Sequence, residues 1–273
     1  MMRPKRIKFD PSFYAMTLLA IFLGYLNEYI IFALTILVHE CGHLMMAAFY
    51  NWRFERIKFF AFGGIMEFQG ELNKSNVEDF VVSSGGIVFN FLCFLLLILA
   101  RERISPYVNL TLYDYAIGSQ LFVIFFNLTP LPPLDGSRLL NAFLCCYFPY
   151  KVVLKIMKII NIVLIVLFMV ITFFNDFRQI YLVMSFLVYS TIKYNKQIYF
   201  LFQRFLLQKR MYTNVDLPNK IIRFRNHSLE DNFYRGYFNT FQINHRLHDE
   251  TSWLKLKYEE NAVLSVDAPY KTD

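Results

Sequence analysis

The feature that most restricts the fold of this chain is a series of apolar runs, each close in length to a membrane-spanning helix. A helix needs about 20 apolar residues to cross a hydrocarbon core of about 30 Å. The composition agrees, because 56% of the 273 residues are hydrophobic, whereas soluble domains contain about 45–50%. About six transmembrane helices are therefore predicted, the first as a retained span rather than a cleaved signal peptide. The runs cover residues 13–26, 30–50, 80–100, 113–128, 152–174 and 180–200.

The positions of Lys and Arg predict how these helices are oriented. The formal net charge is +7, but the basic residues flank the apolar runs and do not line one face, so no nucleic-acid partner is predicted. Segments on one side of the membrane are rich in Lys and Arg, and the opposite side holds Arg101, Arg103 and Arg178. Cytoplasmic loops carry the excess of basic residues. The chain is therefore predicted to be a multi-pass protein of the cell membrane with both termini in the cytoplasm.

Three regions are predicted along the chain. Residues 1–12 form a basic cytosolic N-terminal tail, residues 13–203 the transmembrane domain, and residues 204–273 a small cytosolic C-terminal region. Between the second and third runs, residues of alternating character flank Gly63-Gly64, a pattern typical of a β-hairpin; a plain interfacial loop is the alternative. The predicted fold class is an all-α polytopic membrane protein with a membrane-associated β-hairpin and a small cytosolic C-terminal appendage.

A short motif inside the second run carries candidate chemistry, since residues 38–43 read V-H-E-C-G-H. A helix turns about 100° per residue, so His39 and His43 share one face, and their imidazoles can bind one Zn²⁺. Glu40 lies beside that face, where it can take a proton from water as a general base. Cys41 points away from His39 and is not counted as a ligand. Chance is a poor explanation of the motif, because ionisable groups in membrane helices are costly and usually functional.

A third ligand is expected, because catalytic zinc sites have three protein ligands and leave one position for water or substrate. Residues 127–138 read N-L-T-P-L-P-P-L-D-G-S-R, and Asp135 is the one carboxylate between residues 115 and 174. It follows a proline-broken run, and irregular backbone at membrane depth is tolerated where it is buried in protein or lines a cavity. Asp135 is therefore predicted as the third metal ligand. The alternative is an N-cap of a helix that begins near Ser137.

In combination, HECGH at 39–43 and NLTPLPPLDG at 127–136 resemble the signature of the site-2 protease family, peptidase family M50. The chain also looks close to the sporulation branch of that family, the stage IV sporulation proteases that process pro-sigma-K. The segments FYNWRFERIKFFAFGG and FLFQRFLLQKR resemble the hairpin and the exit from the last span in that branch. The resemblance covers roughly residues 30–210.

The resemblance implies an intramembrane zinc metalloprotease, in which His39, His43 and Asp135 bind Zn²⁺ and Glu40 activates water. It also implies that Asn127 holds the substrate or the developing oxyanion. The implied partners are a membrane-embedded or membrane-associated protein substrate, such as a sigma-factor precursor during sporulation, together with inhibitory membrane proteins and the lipid bilayer.

One segment departs from the family pattern, namely SSGGIVFN at 83–90, where the wider family often has Gly-Pro after the small residues. Because that proline is missing, no role is assigned to Asn90. The small residues at 83–86 are instead expected to permit close helix packing.

The alternative function is a metal-binding membrane protein without catalysis, such as a transporter or a retired protease. A transporter is expected to have paired broken helices in matching halves, and the sequence indicates a single one. A retired protease is expected to lack the general base, and Glu40 is present. A protease is therefore predicted. The sporulation branch also carries a C-terminal nucleotide-sensing domain, which the pattern of residues 204–273 does not identify.

Overall fold

The structure is a computed structural model, and it describes residues 6–60, 63–68, 71–174, 181–211, 217–223, 229–243 and 246–255. The chain divides into two compact units. All of the predicted site residues lie in the first of them. The N-terminal unit comprises Met1–Glu71 and Val77–Leu140, and the C-terminal unit comprises Leu72–Asn76 and Asn141–Asp273.

Local sequence signals set where the helices of the N-terminal unit begin and end. Gly24 separates the first two helices with a φ of +79°, a backbone conformation that glycine adopts without strain. The fourth helix starts at Asn109, whose side chain accepts a hydrogen bond from N of Thr111, as an N-cap does. That helix stops where Pro130 follows Thr129, because the residue before a proline disfavours helical backbone. The helices are α1 (Pro11–Leu23), α2 (Leu26–Phe49), α3 (Asn76–Ile104), α4 (Leu110–Leu128) and α5 (Asp135–Tyr147), the last of which continues into the C-terminal unit.

Three helices of the described chain are long and apolar enough to cross a membrane: α2, α3 and, in the C-terminal unit, α6 (Tyr150–Phe174). Helix α1 is shorter, with an apolar segment of Tyr14–Leu23. Large apolar side chains stand exposed on the candidate spans; Leu99, for example, is 79% exposed, as expected where a helix contacts lipid. The protein is thus mostly helical with three candidate spans in its described part. The other spans of the six, and the orientation of the chain, stay predictions.

A three-stranded sheet with the order β1-β2-β3 belongs to the N-terminal unit. The strands β2 and β3 pair antiparallel, which confirms the predicted hairpin. Gly63-Gly64, however, belong to β3, and the residues between the two strands, 61–62, lie outside the described residues. Strand β1 pairs parallel with β2, with Arg6 opposite Arg56, a long-range pairing that local sequence pattern did not predict. The strands are β1 (Arg6–Phe9), β2 (Phe54–Phe60) and β3 (Gly63–Phe68).

The C-terminal unit contains helices and a second three-stranded sheet, with the order β4-β5-β6. Strands β4 and β5 pair parallel, and β5 and β6 pair antiparallel. Phe205, Phe233 and Phe241 are fully buried in this unit, which gives it an aromatic core. This sheet was not predicted, because its strands are short and interleaved with polar residues. The further elements are α7 (Tyr181–Met211), β4 (Asn219–Arg223), β5 (Phe238–Ile243) and β6 (Arg246–Asp249).

Candidate metal centre

Three side chains from two distant segments of the chain converge within the N-terminal unit. His39 and His43 lie one turn apart on α2, and Asp135 is the first residue of α5. The Nε2 atoms of the two imidazoles are 3.2 Å apart. Oδ2 of Asp135 lies 2.8 Å from Nε2 of His39 and 3.0 Å from Nε2 of His43. One potential ligand atom from each residue therefore faces a common point that is largely shielded from solvent.

Glycines allow α3 to approach α2 closely at this point. A Cβ on Gly42 would lie 2.3 Å from O of Gly85, and a Cβ on Gly85 would lie 2.6 Å from O of Gly42. Real Cβ atoms do not come this close to another atom, so the helices meet backbone to backbone. A Cβ on Gly86 would lie 2.5 Å from Nε2 of His43 and 2.7 Å from Nε2 of His39. The predicted close packing of small residues is confirmed, and Gly86 also leaves the space in front of the imidazoles free of side-chain atoms.

Contacts at the start of α5 position Asp135. A Cβ on Gly136 would lie 2.3 Å from O of Leu128, so glycine is required where the start of α5 packs on the end of α4. One turn into α5, Arg138 donates a hydrogen bond of 3.0 Å to Oδ1 of Asp79 on α3. Because α3 also faces the two histidines, this ion pair ties the segment that carries the carboxylate to the helix behind the imidazoles.

The second nitrogen of each imidazole is hydrogen-bonded to an oxygen that can only accept. Nδ1 of His43 donates to the backbone O of Val82 at 2.8 Å, and Nδ1 of His39 donates to Oδ1 of Asn90 at 2.9 Å. Nδ1 therefore carries the proton in both rings, so the neutral imidazoles present the lone pairs of Nε2 to the common point. Partners of this kind orient histidine ligands in metal sites.

The donor set fits a zinc ion. Two nitrogen lone pairs and a carboxylate oxygen face one another at 2.8 to 3.2 Å, an arrangement that is repulsive unless a cation lies among them. A proton on one of the three atoms makes one of the contacts attractive, whereas a central cation attracts all three atoms. Tetrahedral zinc with bonds of about 2.0–2.1 Å holds its ligand atoms about 3.3 Å apart, close to the spacing found here. The set also matches the mixed histidine and carboxylate ligands of catalytic zinc sites.

The remaining residues considered from the sequence lie on α2 and α4. Glu40 is buried on α2 and interacts electrostatically with His43. Cys41 is exposed, in keeping with its exclusion as a ligand. Asn127 lies in the last turn of α4, where its Nδ2 donates to O of Val123 at 3.0 Å. Its contact with a substrate stays a prediction.

Sequence patterns indicated no role for two residues that contact the histidines. Asn90 was given no role, yet its fully buried amide accepts the hydrogen bond of His39. A signal existed, because an amide within an apolar run needs a hydrogen-bond partner from another helix. Val82 packs in a core cluster with Trp52 and Phe68 and acts through its backbone oxygen, for which no side-chain pattern gives a signal.

Comparison with known proteins identifies relatives of this chain. Residues 28–106 match the sequence model of peptidase family M50. The curated protein "Stage IV sporulation protein FB" of Bacillus subtilis (strain 168) is 28% identical to this chain over 147 residues. The resemblance to peptidase family M50 is confirmed. The M50 match includes His39, Glu40 and His43, and it ends before Asn127 and Asp135.

The coverage of these relatives differs. The match to stage IV sporulation protein FB covers 54% of this chain and 50% of that protein, so the chain spans about half the length of this curated relative. Among solved structures, the site-2 protease from Methanocaldococcus jannaschii is similar, with a TM-score of 0.57 and 20% sequence identity. That similarity covers 71% of this chain and 93% of the archaeal chain. The chain therefore has the site-2 protease fold.

Proposed function

We propose that this chain is an intramembrane zinc metalloprotease of the site-2 type, which hydrolyses a peptide bond in a membrane-associated protein. The observation that carries the proposal is the meeting of two imidazole Nε2 atoms and a carboxylate oxygen next to a buried glutamate. The described cluster has three ligand residues, the number found in catalytic zinc sites, whereas structural sites are closed by a fourth. The match to peptidase family M50 supports the same reaction.

In this proposal, His39, His43 and Asp135 hold the zinc ion. When bound, zinc lowers the pKa of water toward about 7 and polarises a carbonyl oxygen. Glu40 accepts a proton from the attacking water and returns it to the leaving amine, as a general base and then a general acid. Asn127 donates a hydrogen bond to the substrate carbonyl as negative charge develops on it.

The sheet of the N-terminal unit supplies a docking place for the substrate. The carbonyls of a helical substrate are occupied by backbone hydrogen bonds, so the segment must unwind before attack. Among the described residues, β2 is paired on both edges, whereas β3 is paired with β2 alone. Strand addition to such an edge provides main-chain hydrogen bonds to an extended peptide. Phe68 at the end of β3 packs with Ala47 of α2 and Val82 of α3, so the strand is anchored on the two helices that carry and orient the histidines.

The proposed substrate is a membrane-associated sigma-factor precursor, on the similarity to stage IV sporulation protein FB. The proposed setting is the cell membrane, with residues 13–203 as the transmembrane protease domain and both termini in the cytoplasm, where Lys and Arg are concentrated. Inhibitory membrane proteins are the proposed regulators.

The substitution Glu40→Gln tests the proposal, because it removes the base and leaves the size and burial of the side chain nearly unchanged. Purified protein in lipid vesicles is incubated with zinc and a membrane-anchored candidate substrate, and product is measured by mass spectrometry. Cleavage is expected to fall to background in Glu40→Gln, while zinc content and helical content stay at the wild-type level. Glu28→Gln, which removes a carboxylate from the first turn of the same helix, is the matched control and is expected to remain active.

Two results contradict the proposal. One is cleavage by Glu40→Gln at the wild-type rate, which would remove Glu40 as the base. The other is a wild-type protein that binds zinc and yields no product from any membrane-anchored candidate, which would favour a metal-binding protein without catalysis.

A further inference from the structure

A chain of buried polar side chains leads away from the metal centre between α2, α3 and α4. Asn90, whose Oδ1 accepts from His39, donates from Nδ2 to Oε1 of Gln120 at 2.6 Å. Gln120 in turn donates from Nε2 to Oγ1 of Thr35 at 3.3 Å. Oγ1 of Thr35 lies 2.8 Å from Oγ of Ser119. The four residues beyond the histidine are almost fully buried, with exposed fractions of 0 to 6%, so water does not compete for their hydrogen bonds.

The backbone carbonyl of Thr35 fixes the orientation of the Asn90 amide, and with it the direction of the hydrogen bonds that connect Gln120 to His39. The backbone O of Thr35 lies 3.3 Å from one polar atom of the Asn90 side chain, and a carbonyl can only accept. That atom is therefore the amide nitrogen Nδ2, which leaves Oδ1 to face Nδ1 of His39. It follows that Gln120 presents its oxygen to Asn90 and its nitrogen to the Thr35 hydroxyl. One consistent assignment thus runs from α4 to the imidazole.

We propose that Gln120 is a positioning residue for zinc binding, which acts on His39 through the Asn90 amide. The inference rests on the metal site proposed above. Without the oxygen of Gln120, one amide hydrogen of Asn90 loses its 2.6 Å partner, and the weaker contact to Thr35 remains. The Thr35 carbonyl then holds the amide in its orientation alone, through the longer 3.3 Å contact, so the flipped orientation, with the NH₂ group facing Nδ1 of His39, is populated more often than in the wild type. A donor at that place favours the tautomer with the proton on Nε2, which occupies the lone pair that zinc needs.

The test is zinc affinity, measured by competition with a chromogenic chelator on the full-length protein in detergent. Gln120→Leu removes both hydrogen-bonding groups at similar volume and is expected to weaken zinc binding about 10-fold, the lower end of the range found when a direct partner of a histidine ligand is lost, because Gln120 acts on His39 through Asn90. Gln120→Glu is the conservative variant. A buried, protonated Glu keeps an acceptor for Asn90 and a donor for Thr35, so affinity is expected to return to within about threefold of wild type.

A control separates positioning from general damage to the fold. Asn161→Leu removes a fully buried amide from α6, in the C-terminal unit, and is expected to change thermal stability without changing zinc affinity. Cleavage by Gln120→Leu is expected to recover when zinc is raised in proportion to the weaker binding. If Gln120→Leu fails to fold, Gln120→Met, an unbranched side chain that also lacks the acceptor, replaces it.

The outcomes distinguish this inference from the proposed function. Wild-type zinc affinity in a folded Gln120→Leu or Gln120→Met protein overturns the positioning role and leaves the metal site intact. Equal weakening in Gln120→Leu and Gln120→Glu also overturns it, because the acceptor would then be irrelevant. Absence of zinc binding by the wild-type protein would instead defeat the metal site itself.

Discussion

Two buried polar clusters, one in each unit, each contain a carboxylate, and they differ in what balances its charge. In the C-terminal unit, Nζ of Lys209 lies 2.9 Å from both carboxylate oxygens of Glu250 and 2.7 Å from O of Tyr237. Asn239 adds two donors to Oε2 of Glu250, at 2.9 Å from its N and 2.7 Å from its Nδ2. The charge of Lys209 thus balances that of Glu250, and both groups find their hydrogen-bond partners within the chain.

The cluster in the N-terminal unit contains the anion and lacks a matching cation among its ligand atoms. His39 and His43 turn their protonated nitrogens away, toward Asn90 and Val82, and face Asp135 with lone pairs. This difference distinguishes a structural cluster from a binding site. A closed cluster satisfies its own charge, whereas a binding site leaves a charge or a set of lone pairs for a ligand to satisfy.

The largest expected effect comes from filling the space in front of the imidazoles with Gly86→Ala. Its Cβ would lie 2.5 Å from Nε2 of His43, so the rings must move and the three ligand atoms separate. Zinc content and cleavage are both expected to fall to background, as measured by elemental analysis and product formation. Gly118→Ala on α4 is the matched control, since a Cβ there has nothing within 4 Å, and it is expected to keep full zinc and activity. Zinc retention by Gly86→Ala at the wild-type level would show that the site lies elsewhere.

The next largest effect is expected in the closed cluster. Lys209→Met leaves the buried carboxylate of Glu250 without its cation, which costs about 3–5 kcal/mol. Hydrogen exchange of peptides around β5 and β6 is expected to rise, while zinc content does not change. The double variant Lys209→Met/Glu250→Gln removes both charges and is expected to be less damaged than the single variant. A loss of zinc in Lys209→Met would show that the two clusters are not independent.

Zinc removal is the reciprocal experiment and is expected to act on the open cluster alone. A ligand at 100 times its dissociation constant stabilises the folded state by about 2.7 kcal/mol. Chelation is therefore expected to raise hydrogen exchange in α2 and in the start of α5, and to leave β5 and β6 unchanged. Exchange that does not respond to chelation in α2 would mean that no metal stabilises this cluster.

The smallest effect is expected from the ion pair behind the site. Arg138→Gln removes a guanidinium that pairs with the buried Asp79, but the Arg138 side chain is about one-third exposed, so solvent already screens the pair and the expected cost is about 1 kcal/mol of stability. Arg101→Gln breaks an ion pair with Asp114 whose two side chains are both about half exposed, so its expected cost is near zero. Thermal unfolding of the two variants side by side gives the comparison, and equal midpoints would argue against a supporting role for Arg138.

Sequence pattern predicted the parts of the centre that depend on local geometry or on the cost of burying charge. The spacing of His39 and His43 follows from the helical repeat, and Asp135 stands out because a carboxylate after a broken apolar run requires a partner. The roles of Asn90 and Gln120 depend on which faces of three helices meet. Helix contacts of this kind join residues that are distant in sequence. The polar residues within the apolar runs indicate only where a buried hydrogen-bond network could lie.

The fold shows the same division between local and long-range information. Alternation of apolar and polar residues predicted β2 and β3. The parallel neighbour of β2, strand β1, was not predicted, because it lies in residues 1–12, which were interpreted as a basic tail. Its pairing depends on a neighbour that is distant in sequence. The short strands β4 to β6 are likewise stabilised by a buried aromatic core, which the local sequence pattern of the strands does not indicate.

Elemental analysis of zinc per folded chain tests whether His39, His43 and Asp135 hold a metal ion. One zinc is expected per wild-type chain, and almost none in His39→Ala, His43→Ala or Asp135→Ala. The control His248→Ala changes a histidine on β6 and is expected to keep a full equivalent. Retention of a full equivalent of zinc by any of the three ligand variants, with its helical content intact, would show that these residues do not form the zinc site.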